Sequence, residues 1–378
     1  MRSADVKMRK PTYAGSMWLG VATLTATVLG FATCAHADDV TPSMFSISGF
    51  GTLGVSHSSL DTADFISTAF EPNGAGHSHN YDFTGDSKLG VQLTGQFTQQ
   101  LSAVVQVVSQ HQYDNSFTPY VEWANLKYAF TPDFSVRVGR IELPTFLNSD
   151  YRDVGYANPW IRVPGEIYDA VPITNSDGAD VSYRFHIGEI ANTIKLLYGH
   201  SSFYVSPGIK VQAQDIAAAF DTIEYQAFTA HFGLLHAEVG LSVLPQEPAT
   251  IYSMAAGYDP GTWFVQGELA RITVNQITPG YFAGYVSAGY RINTFTPFVT
   301  YAQAHSLGHS TMVPNLNFGQ RDASCGVRWD FRKNMDLKFQ YDHVWLPSNS
   351  TGMFAAVQPN FQLGSGTNVL SVALDFVF

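Results

Sequence analysis

The chain has 378 residues, of which 13% are charged, 14% aromatic and 45% apolar. A soluble globular domain carries about 25% charged residues, and beyond the first 40 residues no run reaches the roughly 20 apolar residues of a membrane-spanning helix. Acidic residues outnumber basic ones 31 to 20, a net charge of −11, which argues against nucleic acid as a partner because phosphate binding needs basic patches.

The first 37 residues read as a signal peptide. Arg2, Lys7, Arg9 and Lys10 form a positive start, Met17 to Ala32 is apolar and uncharged, and Ala35-His36-Ala37 is a small-x-small cleavage site followed by Asp38 and Asp39. Acylation at Cys34 would want a small residue before it, and Thr33 with Phe31 fits poorly. Cleavage after Ala37 removes four basic residues and one acidic one, leaving a domain over 38–378 with a net charge of −14. It also leaves Cys325 alone, so no internal disulfide can form and backbone pairing must hold the fold.

From there the sequence alternates with a period of two, which places successive side chains on opposite faces of a sheet. Sixteen segments can be drawn, near 45–55, 87–97, 101–112, 118–130, 134–142, 178–186, 193–200, 213–224, 228–239, 249–258, 262–273, 280–290, 296–305, 318–331, 335–345 and 367–378. In the second, Leu89, Val91, Leu93 and Phe97 oppose Lys88, Gln92, Thr94 and Gln96. In the fourth, Ala124, Leu126, Tyr128 and Phe130 oppose Asn125, Lys127 and Ala129. In the last, Leu370, Val372, Leu374, Phe376 and Phe378 oppose Ser371, Ala373 and Asp375.

The connections fall into two classes. Thr98-Gln99-Gln100, Thr131-Pro132-Asp133, Asp259-Pro260-Gly261 and Arg332-Lys333-Asn334 are tight. The stretches near 56–86, 143–177, 201–212, 306–317 and 346–366 are long. The tight turns are flanked by aromatics: Phe97, Phe130 with Phe134, Tyr258 with Trp263, and Trp329 with Phe331. A soluble sandwich has no reason to sort its loops by length or to ring one side with aromatics. A membrane barrel has both. The predicted fold is an all-β transmembrane antiparallel barrel of about sixteen strands, a size that leaves an aqueous channel.

These features resemble the Gram-negative general porins. The resemblance rests on the signal peptide, the glycine-containing first strand Ser46-Ile47-Ser48-Gly49-Phe50-Gly51-Thr52-Leu53-Gly54, the strand Val138-Gly139-Arg140 before a long loop, and the terminal Phe376 and Phe378. It implies an outer-membrane location, lipid contact around the barrel, passage of small hydrophilic solutes or ions, a homotrimer, and recognition of Phe376 and Phe378 by the barrel-assembly machinery. It also implies a long third loop folded into the barrel, here 143–177. That loop holds apolar anchors (Phe146, Leu147, Trp160, Ile161) and the charges Asp150, Arg152, Asp153, Arg162, Glu166 and Asp169. Opposite such a loop the resemblance implies a basic wall, and Lys88, Lys127, Arg137 and Arg184 point inward by strand parity. Arg140 breaks the parity of its strand, as at a bulge or above the membrane.

No cofactor or metal is expected: His77-Ser78-His79 lies in a loop with no second histidine pair nearby. No catalytic set is expected either. A substrate-specific porin differs only in lumen detail. A barrel lipase or protease would draw on His231 or His343, neither of which lies in a nucleophile motif. An energised receptor would need a plug domain before the first strand.

Overall fold

The computed structural model describes residues 43–242, 244–274, 278–308 and 317–378, all within one compact unit. The expected signal peptide over 1–37 lies outside the described residues. Sixteen antiparallel strands form a closed barrel: β1 (Phe45–Ser58), β2 (Lys88–Gln96), β3 (Leu101–Gln110), β4 (Tyr120–Ala129), β5 (Phe134–Glu142), β6 (Asn175–Ile187), β7 (Ile190–Ser206), β8 (Ile209–Tyr225), β9 (Phe228–Leu241), β10 (Glu247–Tyr258), β11 (Trp263–Thr273), β12 (Gly280–Tyr290), β13 (Phe295–Leu307), β14 (Gln320–Arg332), β15 (Met335–Trp345) and β16 (Thr367–Val377). Every segment drawn from the sequence has its strand, and the fold class is the one expected.

One connection is corrected. The sequence was divided at 201–212 as a long loop, but β7 and β8 run on through it as seventeen-residue strands. They turn at Pro207-Gly208, where Gly208 has φ +82°. The polar stretch Ser201-Ser202 pairs with Gln212-Ala213 across this hairpin, beyond His200, where the pairing of β7 with β6 ends, so the lack of apolar alternation is not a break in the strand.

The alternation works as the period of two demands. In β15, Asp336, Lys338, Gln340 and Asp342 are buried, while Phe339, Tyr341 and Trp345 are exposed. In β16, Val369, Ala373 and Asp375 are buried and Leu370 is exposed. On these two strands the inner face is the more polar one and the outer face the apolar one, the reverse of a soluble protein and the arrangement of a barrel that faces lipid. Among the described residues no helix is long and apolar enough to cross a membrane. Cys325 is a free thiol on the outer face, between Val299 and Tyr341 on the neighbouring strands.

Closure runs through β1. It pairs with β2 on one side, from Phe45 opposite Gly95 to Thr52 opposite Lys88. On the other it pairs with β16, from Phe50 opposite Val377 to Ser58 opposite Val369. Gly49 and Phe378 exchange both backbone hydrogen bonds, at 2.8 and 3.0 Å. The glycines of β1 make room for this seam. The Phe376 ring covers Gly51, the Phe378 ring covers Gly49, and inside the barrel the Phe50 ring covers Gly90. A side chain at any of the three would occupy the volume of a ring.

The four tight turns expected from the sequence share one rim, opposite the β7–β8 turn, and aromatics beside them touch. Tyr128, Phe130, Phe134 and Tyr183 form a run of ring contacts with centroids 4.8 to 6.5 Å apart. Tyr258 meets Trp263 at 5.3 Å, and Trp329 meets both Phe295 and Phe331. Rings at this level sit half in hydrocarbon and half in water. At the opposite rim, the first long loop carries a short ribbon, Asp64–Phe65 against Ala75–Gly76, and Asp64 pairs with Ala355 of the last loop.

Gly90→Val sets its new Cβ inside the Phe50 ring. It is expected to lower the stability of the folded barrel by about 1–3 kcal/mol, the cost of overpacking, read as an earlier urea midpoint for the heat-modifiable band on gels. Gly90→Val with Phe50→Ala should recover part of that loss.

Candidate functional site in the barrel lumen

The segment 143–174 leaves β5 and returns to β6, closed at its base by the hydrogen bond from Leu143 N to Thr174 O at 2.9 Å. It is built from two 3-10 turns, Ser149–Tyr151 and Gly155–Ala157, and a single helical turn, Gly165–Tyr168. Its polar groups bond to inward-facing side chains on every strand from β9 to β16. His231 on β9 contacts Pro144 O, and the Ser253 hydroxyl on β10 donates to Thr145 O at 2.6 Å. Glu268 on β11 accepts from Leu147 N, the Tyr168 hydroxyl and the Tyr285 hydroxyl at 2.8, 2.6 and 2.8 Å.

The Trp160 indole N–H lies 2.9 Å from both Ser287 on β12 and Thr300 on β13. The Arg328 guanidinium on β14 donates to Tyr156 O at 2.6 Å. The Lys338 ammonium on β15 donates to Gly155 O and Trp160 O at 2.6 and 2.9 Å. The strand β13 lies eight places round a sixteen-strand ring from β5, so Trp160 bonds to the wall opposite the one its segment leaves. Trp160 is 2% exposed and Phe146, Ile167 and Tyr168 pack in the same buried cluster as inward-facing residues of β7 to β13.

The charges named from the sequence are placed as follows. Arg162 is ion-paired to Asp86 at 2.6 Å and to Asp342 at 3.2 Å, and donates to the Ser371 hydroxyl. Burial alone would raise the Asp86 carboxyl, and the Arg162 guanidinium overrides it and holds that carboxyl below its usual range. Asp153 meets Lys88 at 3.3 Å. Arg152 stands 4.0 Å from Asp169 and over the Tyr168 ring. Burial pushes the Asp169 carboxyl up to about 7 despite Arg152. Glu166 accepts from the Gln320 amide at 2.8 Å, and burial raises it too. Asp150 has one buried carboxylate oxygen with no hydrogen-bond partner; burial raises its carboxyl, with Glu142 adding to the effect.

Of the basic wall, Arg137 is held by Glu142 and Asp180 and Arg184 by Glu224. Lys127 makes no ion pair with a described residue. Arg140, set off by Gly139 at φ +126°, lies outside the barrel's inner face and pairs with Asp177 at 2.7 Å.

Sequence reasoning missed the acids and cations that anchor the segment. Lys338 is fully buried between Asp336 and Asp375, 2.9 Å from the latter, and Thr52 donates to Asp375. Lys195 joins Arg137 on Glu142 at 3.2 Å. Strand parity marks Lys338, Asp336 and Asp375 as inward. What parity lacks is the register that stacks β15 beside β16 and brings Lys338 opposite Ala373, one step from Asp375.

His77 and His79 contact only backbone carbonyls, Asp61 O and Gly74 O, and no group of three metal-ligating side chains occurs among the described residues. His231 bonds to Thr222 and to Pro144 O, whereas His343 lies on the outer face against Asn368.

Two outcomes test this geometry. Lys338→Met leaves the buried Asp375 carboxylate without a counter-ion, while Asp336 keeps Arg328 at 3.1 Å; the loss of stability should be about 3–5 kcal/mol by urea unfolding, with Lys338→Met/Asp375→Asn recovering much of it. Burial pushes the Glu71 carboxyl in the first long loop up to about 8 from 4.5. Between those values the folded chain keeps a proton that the unfolded chain releases, so stability falls as pH rises from about 4.5 to 8 and levels off above. Glu71→Gln should flatten that part of the slope when the urea midpoint is followed against pH.

No family model matches the sequence, and no curated protein does. Solved structures do. An anion-selective porin from Comamonas acidovorans superposes with a TM-score of 0.60 at 13% identity, covering 88% of this chain and 100% of its own. The outer membrane channel DcaP of Acinetobacter baumannii gives 0.59 at 11% identity, covering 89% and 99%. The in-vitro folded trimer form of OmpT, an outer membrane protein of Vibrio cholerae, gives 0.55 at 13%, covering 88% and 99%. At such identities the likeness is one of fold, and it extends over nearly the whole of each neighbour: the chain has the barrel fold of the porins.

Proposed function

We propose that the protein is an outer-membrane porin, a water-filled channel through which small hydrophilic solutes and ions diffuse passively. The observation that carries this reading is a closed sixteen-strand barrel with charged side chains on its inner face and an apolar outer face. A ring of that size is too wide for wall side chains to fill. The solved neighbours whose names describe a porin and an outer membrane channel share this architecture.

In this reading the 143–174 segment folds inward and narrows the lumen. Asp150, Arg152, Asp153, Arg162, Glu166 and Asp169 are its charges, and Lys88, Lys127, Arg137 and Arg184 are the basic wall it faces. The bonds from Trp160 and Lys338 to the far wall support this placement. Most of these charges are neutralised by a partner, which leaves Lys127 as the wall cation open to a passing ion. Phe376 and Phe378, packed on Gly51 and Gly49, are read as the assembly signal. The leader over 1–37 is removed on export, and the barrel assembles as a homotrimer, as the trimer form of the Vibrio cholerae neighbour favours. A hydrolase reading finds less support: His231 has a threonine and a carbonyl as partners, and His343 faces outward.

The test is single-channel conductance of the refolded 38–378 protein in a planar bilayer under a salt gradient. Stable steps are expected, and Lys127→Glu should shift the permeability ratio toward cations by about twofold or more. A correctly folded barrel that passes no current would overturn the channel reading.

A further inference from the structure

The outer face is sorted by charge. Along six consecutive strands, β10 to β15, no outward position carries an acid, although the chain is acidic overall. The acids of these strands alternate with the lipid-facing residues: Glu247, Glu268, Asp322, Asp336 and Asp342 are buried on the inner side, and Asp330, on the same side of β14, is half-buried against Arg328. The outward positions carry two arginines instead, Arg271 on β11 and Arg321 on β14, with the exposed His305 on β13 between them. All three stand within two residues of the strand ends on the long-loop rim.

The three belong to one row. Tyr252 pairs with Arg271, Arg271 with Phe282, and Phe282 with His305. Gln303, two residues from His305, pairs with Arg321, which pairs in turn with Trp345. With strands about 4.8 Å apart, the two arginines are roughly 15 Å apart along the wall. Neither makes an ion pair with a described residue. The two stretches beside them that lie outside the described residues, 275–277 and 309–316, contain no Asp or Glu.

A guanidinium on a lipid-facing wall extends to the water interface and there needs an anion. Its flat fork suits phosphate oxygens in pairs. The exposed rings of Tyr252, Phe282 and Trp345 would take the upper acyl carbons and glycerol or sugar of the same molecule.

We propose that the outer wall of β10 to β15 at the long-loop rim is a binding site for the phosphate of an anionic lipid head group, held by Arg271 and Arg321. The proposal rests on the barrel's spanning a membrane, and the two can fail separately. Folded barrel in an uncharged detergent is titrated with dihexanoyl phosphatidic acid, with dihexanoyl phosphatidylcholine, and with inorganic phosphate, and bound molecules are counted by native mass spectrometry.

Phosphatidic acid should bind about tenfold or more tightly than phosphatidylcholine. Arg271→Gln/Arg321→Gln should abolish that preference while leaving channel conductance in bilayers unchanged, and Arg271→Lys/Arg321→Lys should keep part of it. Equal binding of the two lipids, or an unaltered preference in the glutamine variant, overturns the proposal. Inorganic phosphate binding as tightly as phosphatidic acid also overturns it, since the site would then hold a free anion. Failure of the wild-type barrel to insert and conduct would instead strike at the membrane channel reading.

Discussion

In hydrocarbon there is no water to satisfy a backbone amide, so each strand needs a partner on both sides and the sheet cannot have an edge. In this protein that constraint converges on β1. It is the first strand of the barrel and also the partner of the last, and every other pairing in the barrel is sequential. The Gly49–Phe378 exchange and the two rings lying over Gly49 and Gly51 are what make the ring of strands closed rather than open. Without that seam, the polar inner face would have no enclosed volume to line and the 143–174 segment no opposite wall to bind.

The barrel turns the usual logic of burial inside out, and this decides how its charges behave. Inward-facing ions such as Lys338, Arg137, Asp180 and Asp336 are shielded by the segment and by one another, and stay paired at short range. Removing one partner of such a set costs more than the pair itself contributes. The segment is therefore fixed by a distributed set of contacts to eight strands. Trp160 provides the longest reach and Lys338 a hub that binds two of its carbonyls and a wall carboxylate.

Much of this was legible in the sequence because a period of two is a strong signal and has only two sides. Strand number, inward and outward sets, aromatic positions beside turns and the odd parity of Arg140 all follow from it. It failed at 201–212, where the β7–β8 hairpin runs past the last residue of β7 that pairs with β6 and loses the apolar half of the pattern while keeping its hydrogen bonds. It also could not pair the charges. Arg162 meets Asp86 and Asp342, 76 and 180 residues away. Only the register of strands and the path of a loop bring such residues together, and neither leaves a local trace.

The seam also has a consequence in time. Residues 49 to 58 find one set of their partners only 300 or more positions further along the chain. Closing a loop that long is slow, and local hairpins gain nothing from it until it is done. Until the last strand arrives, β1 can pair with β2 on one side, while its other, glycine-rich edge has no partner. Such an edge invites pairing with another chain. Survival before closure is accordingly a matter of holding the chain unfolded, and the final strand acts as the step that commits it.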